Sequence, residues 1–374
     1  MPKIIAYCTN ATVLNGNKIL IEEIAAKYPG ALWVTKLAQH ATTSGILVVT
    51  GDVALKKIQD GIWKSEDICV IQEERSLIGN ELVKLGAITS VLVCLESPMY
   101  ARIFYEKLHS MSAGYSNRVL FSGAFDLAPP KNLNNSLFFP SFSQNFERRS
   151  MPWNQRKFMV MVAANKFWEP IGKIPKRPIR FVLFCIDALQ CYTSPIWRSI
   201  RRGQLHDTRL KLIEYFGKLG KLDLFGRGWQ DLAVLPSRWQ KRLKPVLEDI
   251  KPVECDDKAE LIVQYKYAVC FENMAYPGYV TEKILDCLSA GVIPIYLGAP
   301  DITDFINSDA FIDFRDFANL NELHEFLEKM TEAQANHMIE KGEEFLRSEK
   351  GKQFSYEVFS KSIFNLIKKD LQLP

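Results

Sequence analysis

The chain has 374 residues, of which 47% are hydrophobic and 24% charged, and its 47 basic and 43 acidic side chains leave a formal charge of +4. Such a length is too great for one compact core and favours two domains, while the composition excludes disordered, fibrous and disulfide-scaffold proteins. The near balance of charge lacks the footprint of a nucleic-acid binder.

The opening residues, MPKIIAYCTNAT, carry neither the apolar core nor the cleavage site of a signal peptide. No stretch reaches the roughly 18 uncharged apolar residues of a bilayer-spanning helix. A cytoplasmic protein is expected, with any membrane contact peripheral, at the inner membrane face. The eight cysteines form no CxxC pair and sit mostly in apolar runs, so they are read as reduced, buried small hydrophobes.

Taken in order, residues 3–8 read as a strand and 18–27 as an amphipathic helix with Ile19, Ile21, Ile24 and Ala25 inward. Residues 33–34, 46–50 and 68–72 offer further short strands, and 53–62 and 78–85 show helical periodicity. Alternating strands and helices predict a parallel-sheet α/β domain. A buried strand at 90–95 leads directly into Glu96-Ser97-Pro98. A carboxylate just past the carboxyl end of a parallel strand lies where open α/β sheets bind ligands. Glu96 is therefore either a solvated strand terminus or a general base.

Residues 127–156 are rich in proline and polar residues, a linker composition. The expected division is a first domain over 1–150, a second over 151–350, and a terminal helical segment over 351–374 packing back across both. The second domain starts with a strand at 158–164 ending at Asn165-Lys166, whereas 167–197 shows no clean period. A helix is expected from about Asp207, with Asp207 or Thr208 as N-cap and Arg209 in its first turn. Arg201, Arg202 and Arg209 either form a solvated basic face or hold an anion, since guanidinium forks bind phosphate bidentately. Residues 221–226 read as a strand closed by Gly226, and 231–250 and 257–266 as helical.

Residues 267–298 then read strand, loop, helix, strand, a βαβ unit with parallel strands. Its helix N-terminus presents backbone amides and about half a positive charge, and Tyr279, Thr281, Glu282 and Lys283 are expected in that first turn. Lys283 can meet a phosphate there as a point charge, and Glu282 suits a sugar or ribose hydroxyl. Glu282 and Asp286, four apart, share a face. The competing reading is a helix start carrying ordinary charges. Beyond it, helices are expected over 320–330, 332–346 and 356–371.

The runs Phe271-Glu272-Asn273, Tyr279-Val280-Thr281-Glu282-Lys283 and Ala290-Gly291-Val292-Ile293-Pro294-Ile295-Tyr296-Leu297-Gly298 resemble, in order and spacing, the signature of glycosyltransferase family 10, the α-1,3/4-fucosyltransferases. Val162-Ala163-Ala164-Asn165, Arg209, Leu224-Phe225-Gly226-Arg227 and Glu96-Ser97-Pro98 are similar to further elements of that family, although Met274 stands where it usually has serine. The resemblance implies a GT-B architecture of two facing Rossmann-like domains with a cleft between them, the first binding the acceptor and the second GDP-fucose. It implies inverting transfer of fucose to an acceptor hydroxyl, with Glu96 as general base and Arg209 and Lys283 stabilising the departing GDP. Donor-binding roles follow for Asn165, Arg209, Glu272, Asn273, Tyr279, Thr281, Glu282 and Lys283. No cofactor is implied beyond the donor, nor a metal, as no DxD pair is present. The expected partners are a nucleotide sugar and an acceptor oligosaccharide, such as a lipopolysaccharide or capsule precursor. The alternatives are a transferase of this fold using another nucleotide sugar, or a non-catalytic glycan- or nucleotide-binding module.

Overall fold

Short strands, most of them runs of β-branched and aromatic residues, build two all-parallel sheets in the computed structural model of the chain. It describes residues 3–9, 11–73, 76–101, 104–105, 114–120, 135–136, 140–142, 151–167, 189, 195–255 and 257–371. The chain forms two compact units, Met1–Asn145 with Lys352–Pro374, and Phe146–Gly351.

In the first unit, β1 (Ile4–Cys8), β2 (Leu47–Thr50), β3 (Ile68–Glu73), β4 (Ile88–Cys94), β5 (Asn117–Leu120) and β6 (Asn135–Ser136) lie in the order β2-β1-β3-β4-β5-β6. Both faces of this sheet are covered, because side chains alternate along each strand. Ile5, Tyr7, Ile71, Val91 and Val93 pack with Trp33 and Leu37 of the helix Leu32–Thr43 and with Phe359, Ile363 and Ile367 of the helix Tyr356–Asp370. Ile4, Ala6, Cys8, Ile68 and Val70 pack on the other side with Ala54 and Leu82, from the helices Gly51–Gln59 and Leu77–Lys84. Trp33 takes edge-on contacts from both Tyr7 and Phe359, so the end of the chain completes a layer begun at its start.

In the second unit, β7 (Lys157–Val162), β8 (Leu222–Phe225), β9 (Tyr265–Phe271), β10 (Ile293–Leu297) and β11 (Ile312–Asp313) lie in the order β11-β10-β9-β7-β8. The expected βαβ unit is β9, the helix Glu282–Ser289 and β10, with Phe271 beside Leu297 in parallel register. The helices Leu320–Lys329 and Glu332–Arg347 follow, the second opened by a capping box at Thr331 and Gln334.

Several expectations fail locally. Trp33 and Val34 are helical; together with Leu37 and Ala41 they are buried at helical spacing, a period that two residues are too few to reveal. The helix expected over 18–27 breaks into a turn, Lys18–Leu20, and a short helix, Glu22–Ala25, leaving Ile21 47% exposed. The helix feeding β9 spans only Lys258–Ile262, because β9 already starts at Tyr265. Most of 127–156 and of 167–197, including Cys185 and Cys191, lies outside the described residues. The six described cysteines are free thiols.

Candidate functional site

The site grows from the carboxyl end of β9. After Phe271 the chain turns sharply, and the Glu272 amide donates to the Leu297 carbonyl at the end of β10 (2.8 Å). This carries the Glu272 side chain to zero exposure. An isolated buried carboxylate is costly, and here three donors offset the cost. Thr281 supplies its backbone N–H (2.9 Å) and hydroxyl (2.8 Å), and Lys283 its ammonium (2.9 Å). Glu272 thus sits as an internal anion at the start of the helix Glu282–Ser289, whose N-cap is Thr281. Tyr279, expected in the first turn, lies buried in the loop two residues before that N-cap.

Lys283 also donates to the Thr281 hydroxyl (3.0 Å) and stands 3.5 Å from Glu282. Burial pulls its ammonium down, yet the carboxylates of Glu272 and Glu282 outweigh burial and hold it above the ordinary lysine value. Burial likewise pushes the Glu282 carboxyl up, but Lys283, Lys258 and local hydrogen bonds hold it below its usual range. Both groups are therefore charged at neutral pH. An ammonium has three donors, and Glu272 and Thr281 take two of those on Lys283. Asp286, on the same helix, is held by Lys258 at 2.7 Å.

Arg209 reaches this point from the helix His206–Lys218. Its guanidinium donates to the carbonyls of Phe271 (2.9 Å) and Glu272 (3.3 Å) and is 5% exposed. Arg201 and Arg202, on the neighbouring helix Pro195–Gly203, are exposed. Burial thus separates Arg209, the arginine that the resemblance points to, from Arg201 and Arg202, which residue type and charge alone leave alike. Residues 203–205 run along 273–275: Leu205 N–H donates to the Asn273 carbonyl (3.2 Å) and Ala275 N–H to the Gly203 carbonyl (2.6 Å). A Cβ on Gly203 would lie 2.6 Å from the Ala275 carbonyl oxygen, so glycine permits this close approach. Met274 is wholly buried beneath it, an apolar filling at the position where the resembled motif usually has serine.

The N-cap of the Arg209 helix is Leu205, with no side-chain cap, and neither Asp207 nor Thr208 plays that part. Asp207 is diverted to Trp239 Nε1 (2.6 Å) and Arg238 (2.9 Å). His206, which sequence reasoning missed, is 1% exposed beside the Phe167 ring. Burial and then the charge of Arg209 push its imidazole down to about 3, so it is neutral at physiological pH. Its place one turn before Arg209 is the only signal the sequence offers.

Asn165 follows β7 and donates through Nδ2 to the carbonyls of Gly228 (3.0 Å) and Asp231 (2.9 Å), pinning the loop after β8. Its Oδ1 is buried without a hydrogen-bond partner among the described residues. Glu96 belongs to the other unit, exposed immediately beyond β4, where its carbonyl accepts from the Tyr105 hydroxyl (2.8 Å). Of the residues singled out in the sequence, the fold gathers Arg209, Glu272, Asn273, Thr281, Glu282 and Lys283 around the end of β9, while Asn165 stands at the end of β7. Among the described residues no cluster of three or more His, Cys, Asp and Glu could hold a metal, and no helix is long and apolar enough to cross a membrane.

Part of the chain is similar to known proteins. Residues 195–339 match the family described as glycosyltransferase family 10 (fucosyltransferase) C-term. Alpha-(1,3)-fucosyltransferase FucT of Helicobacter pylori is 41% identical over 71 residues, 19% of this chain and 15% of that protein. Alpha-(1,3)-fucosyltransferase B of Drosophila melanogaster is 43% identical over 70 residues, 18% of this chain and 16% of that protein. The matched segments thus cover about a sixth of those relatives. Among solved structures, an alpha1,3-fucosyltransferase with GDP is 15% identical, aligned over 99% of this chain and 90% of its own, with a TM-score of 0.52. A glycosyltransferase from Rickettsia africae is 10% identical over 99% of both chains, with a TM-score of 0.55. Those likenesses show the fold, a GT-B fold of two parallel-sheet α/β domains. The matched segment contains Arg209, Glu272, Glu282 and Lys283, so the residues gathered at the end of β9 lie in the part of the chain that is similar to the glycosyltransferase family 10 (fucosyltransferase) C-terminal domain.

Proposed function

We propose that the protein transfers fucose from GDP-fucose to a hydroxyl of an acceptor glycan, with inversion at the anomeric carbon. The observation that carries this reading is the meeting of Arg209 and Lys283 at the end of β9, beside a helix N-terminus, within the matched family segment. Glu96 takes the proton of the acceptor hydroxyl, the freed oxygen attacks the anomeric carbon, and the bond to the diphosphate breaks. The negative charge that collects on GDP meets two fixed cations, so no reorganisation is needed as the charge develops. Lys283 binds it with its third donor while Glu272 and Thr281 hold the other two. Asn165, with an open Oδ1, and Asn273, Tyr279 and Glu282 complete the donor contacts, Glu282 through a sugar or ribose hydroxyl. The acceptor is a lipopolysaccharide or capsule precursor met in the cytoplasm at the inner membrane face.

The test is transfer from labelled GDP-fucose to a panel of oligosaccharides, alongside titrations with GDP and UDP. Wild type should bind GDP in preference to UDP, discriminate against GDP-mannose, and turn over undiminished in EDTA. Glu96→Gln should lower kcat by about a hundredfold or more while leaving GDP affinity intact. Near wild-type turnover in that variant would remove Glu96 from the role of base, and a preference for UDP would point to another nucleotide sugar.

A further inference from the structure

The sheet of the first unit has a place where its connections part. From β1 the chain goes outward through the helix Leu32–Thr43 to β2, then crosses back through Gly51–Gln59 to β3 on the opposite side of β1. The helix after β1 covers one face of the sheet and that after β3, Leu77–Lys84, covers the other. Neighbouring strands whose chains leave to opposite faces open a crevice at their carboxyl ends, where open α/β sheets bind ligands.

This crevice contains a carboxylate to which the transfer chemistry above gives no part. Glu73 is the last residue of β3, on the same face as Ile71, and the Tyr7 hydroxyl of β1 donates to it across the switch point. The Thr9 hydroxyl, just past β1, stands near enough to the same carboxyl to favour its charged form, and itself accepts from the Ala11 N–H (3.1 Å). Burial lifts the Glu73 carboxyl above its ordinary value against the pull of these two hydroxyls. Hydroxyls, and no cation among the described residues, face it. Glu73 pairs in register with Val93 on β4, so Glu96 follows three residues beyond that level on the adjacent strand. Next comes Ser97, wholly buried, whose Oγ has no partner among the described residues.

We propose that this switch point is a saccharide-binding site in which Glu73, aligned by Tyr7, accepts hydrogen bonds from a pair of hydroxyls on the acceptor sugar. The choice of ligand follows from the donor inventory. A carboxylate has about four lone-pair positions, the Tyr7 hydroxyl occupies one, and vicinal sugar hydroxyls fit two of the remainder. An anionic ligand would be repelled. Glu73 then binds and orients the acceptor while Glu96, at the same sheet edge, deprotonates it. The assignment of that sugar as an acceptor rests on the transferase reading above.

Saturation-transfer NMR on the full chain, with lactose, cellobiose and maltose as probes, tests the site without requiring turnover. Wild type should bind at least one disaccharide, and Glu73→Gln should weaken that binding by about tenfold or more with GDP titration and melting temperature unchanged. Equal binding by wild type and E73Q, or no binding of any probe by wild type, overturns the proposal. If E73Q does not fold, Tyr7→Phe, which removes only a hydroxyl, takes its place, and undiminished binding by Y7F overturns it equally. Glu73-dependent saccharide binding in a chain that takes up no GDP would instead sink the donor reading and leave this site standing.

Discussion

The ammonium of Lys283 has two duties, and they can be separated. It is the cation nearest the buried Glu272 carboxylate and a candidate ligand of the donor diphosphate. Lys283→Ala should therefore lower both GDP affinity and stability, the latter by on the order of 3 kcal/mol, because it strands a buried charge. Adding Glu272→Gln should recover most of the stability and none of the affinity, as read by urea midpoints and GDP titration. Equal recovery of both would show that Lys283 acts only through Glu272. His206 makes a pH prediction. The unfolded chain takes up its proton near 6.5, whereas the fold refuses it until about 3. The unfolded state thus binds more protons in between, so this contribution to stability is whole above 6.5 and is lost as pH falls toward 3. At pH 5 the loss should be about 2 kcal/mol, and His206→Gln should flatten that slope in urea melts between pH 7.5 and 5. A slope that persists unchanged in the variant would assign the effect to other groups.

At the scale of elements, the βαβ unit was legible because each of its parts carries its own period and its own stop signal. The strand of β9, the glycine turn at Gly278 and the end of the helix at Gly291, both glycines at positive φ, are written locally. The loop after β8 was less legible, since its shape depends on a neighbour. Gly226 has φ +130°, and a Cβ there would stand 2.2 Å from the Ala163 carbonyl oxygen at the end of β7. Gly226→Ala should cost several kcal/mol, more than the roughly 1 kcal/mol of a simple glycine-to-alanine conflict at positive φ, and should loosen Asn165 as well. Thermal melts would check the first effect and GDP titration the second. A variant within 0.5 kcal/mol of wild type would mean that the loop relaxes freely. The helical placement of Trp33 shows the converse case, in which a correct apolar signal is assigned the wrong period because the window is too short.

For the molecule as a whole, the last helix is a structural member of the first unit. Phe359, Ile363 and Ile367 fill the layer over Tyr7, Trp33 and Val93, some 260 residues or more away in sequence. Removing residues 353–374 should unfold the first unit and spare the second, and limited proteolysis with mass spectrometry should then recover a protected fragment within Phe146–Gly351. A protected N-terminal fragment in that variant would contradict the assignment. The sequence by itself determined what depends on neighbours along the chain: the alternation of strands and helices, the parallel sheets, the carboxylate after β4, and the family motif around Glu272 and Lys283. Only the tertiary structure decided what depends on neighbours in space. Arg209, to which the family resemblance pointed, is buried against the end of β9 while Arg201 and Arg202 are exposed. Glu272 proves to be the internal anion of the Lys283 helix, and Glu73 meets Tyr7 across a switch point that no spacing encodes. The reason is the same in each case: burial and charge pairing join residues far apart in the chain, and a period read along one segment carries no information about which distant segment will cover it.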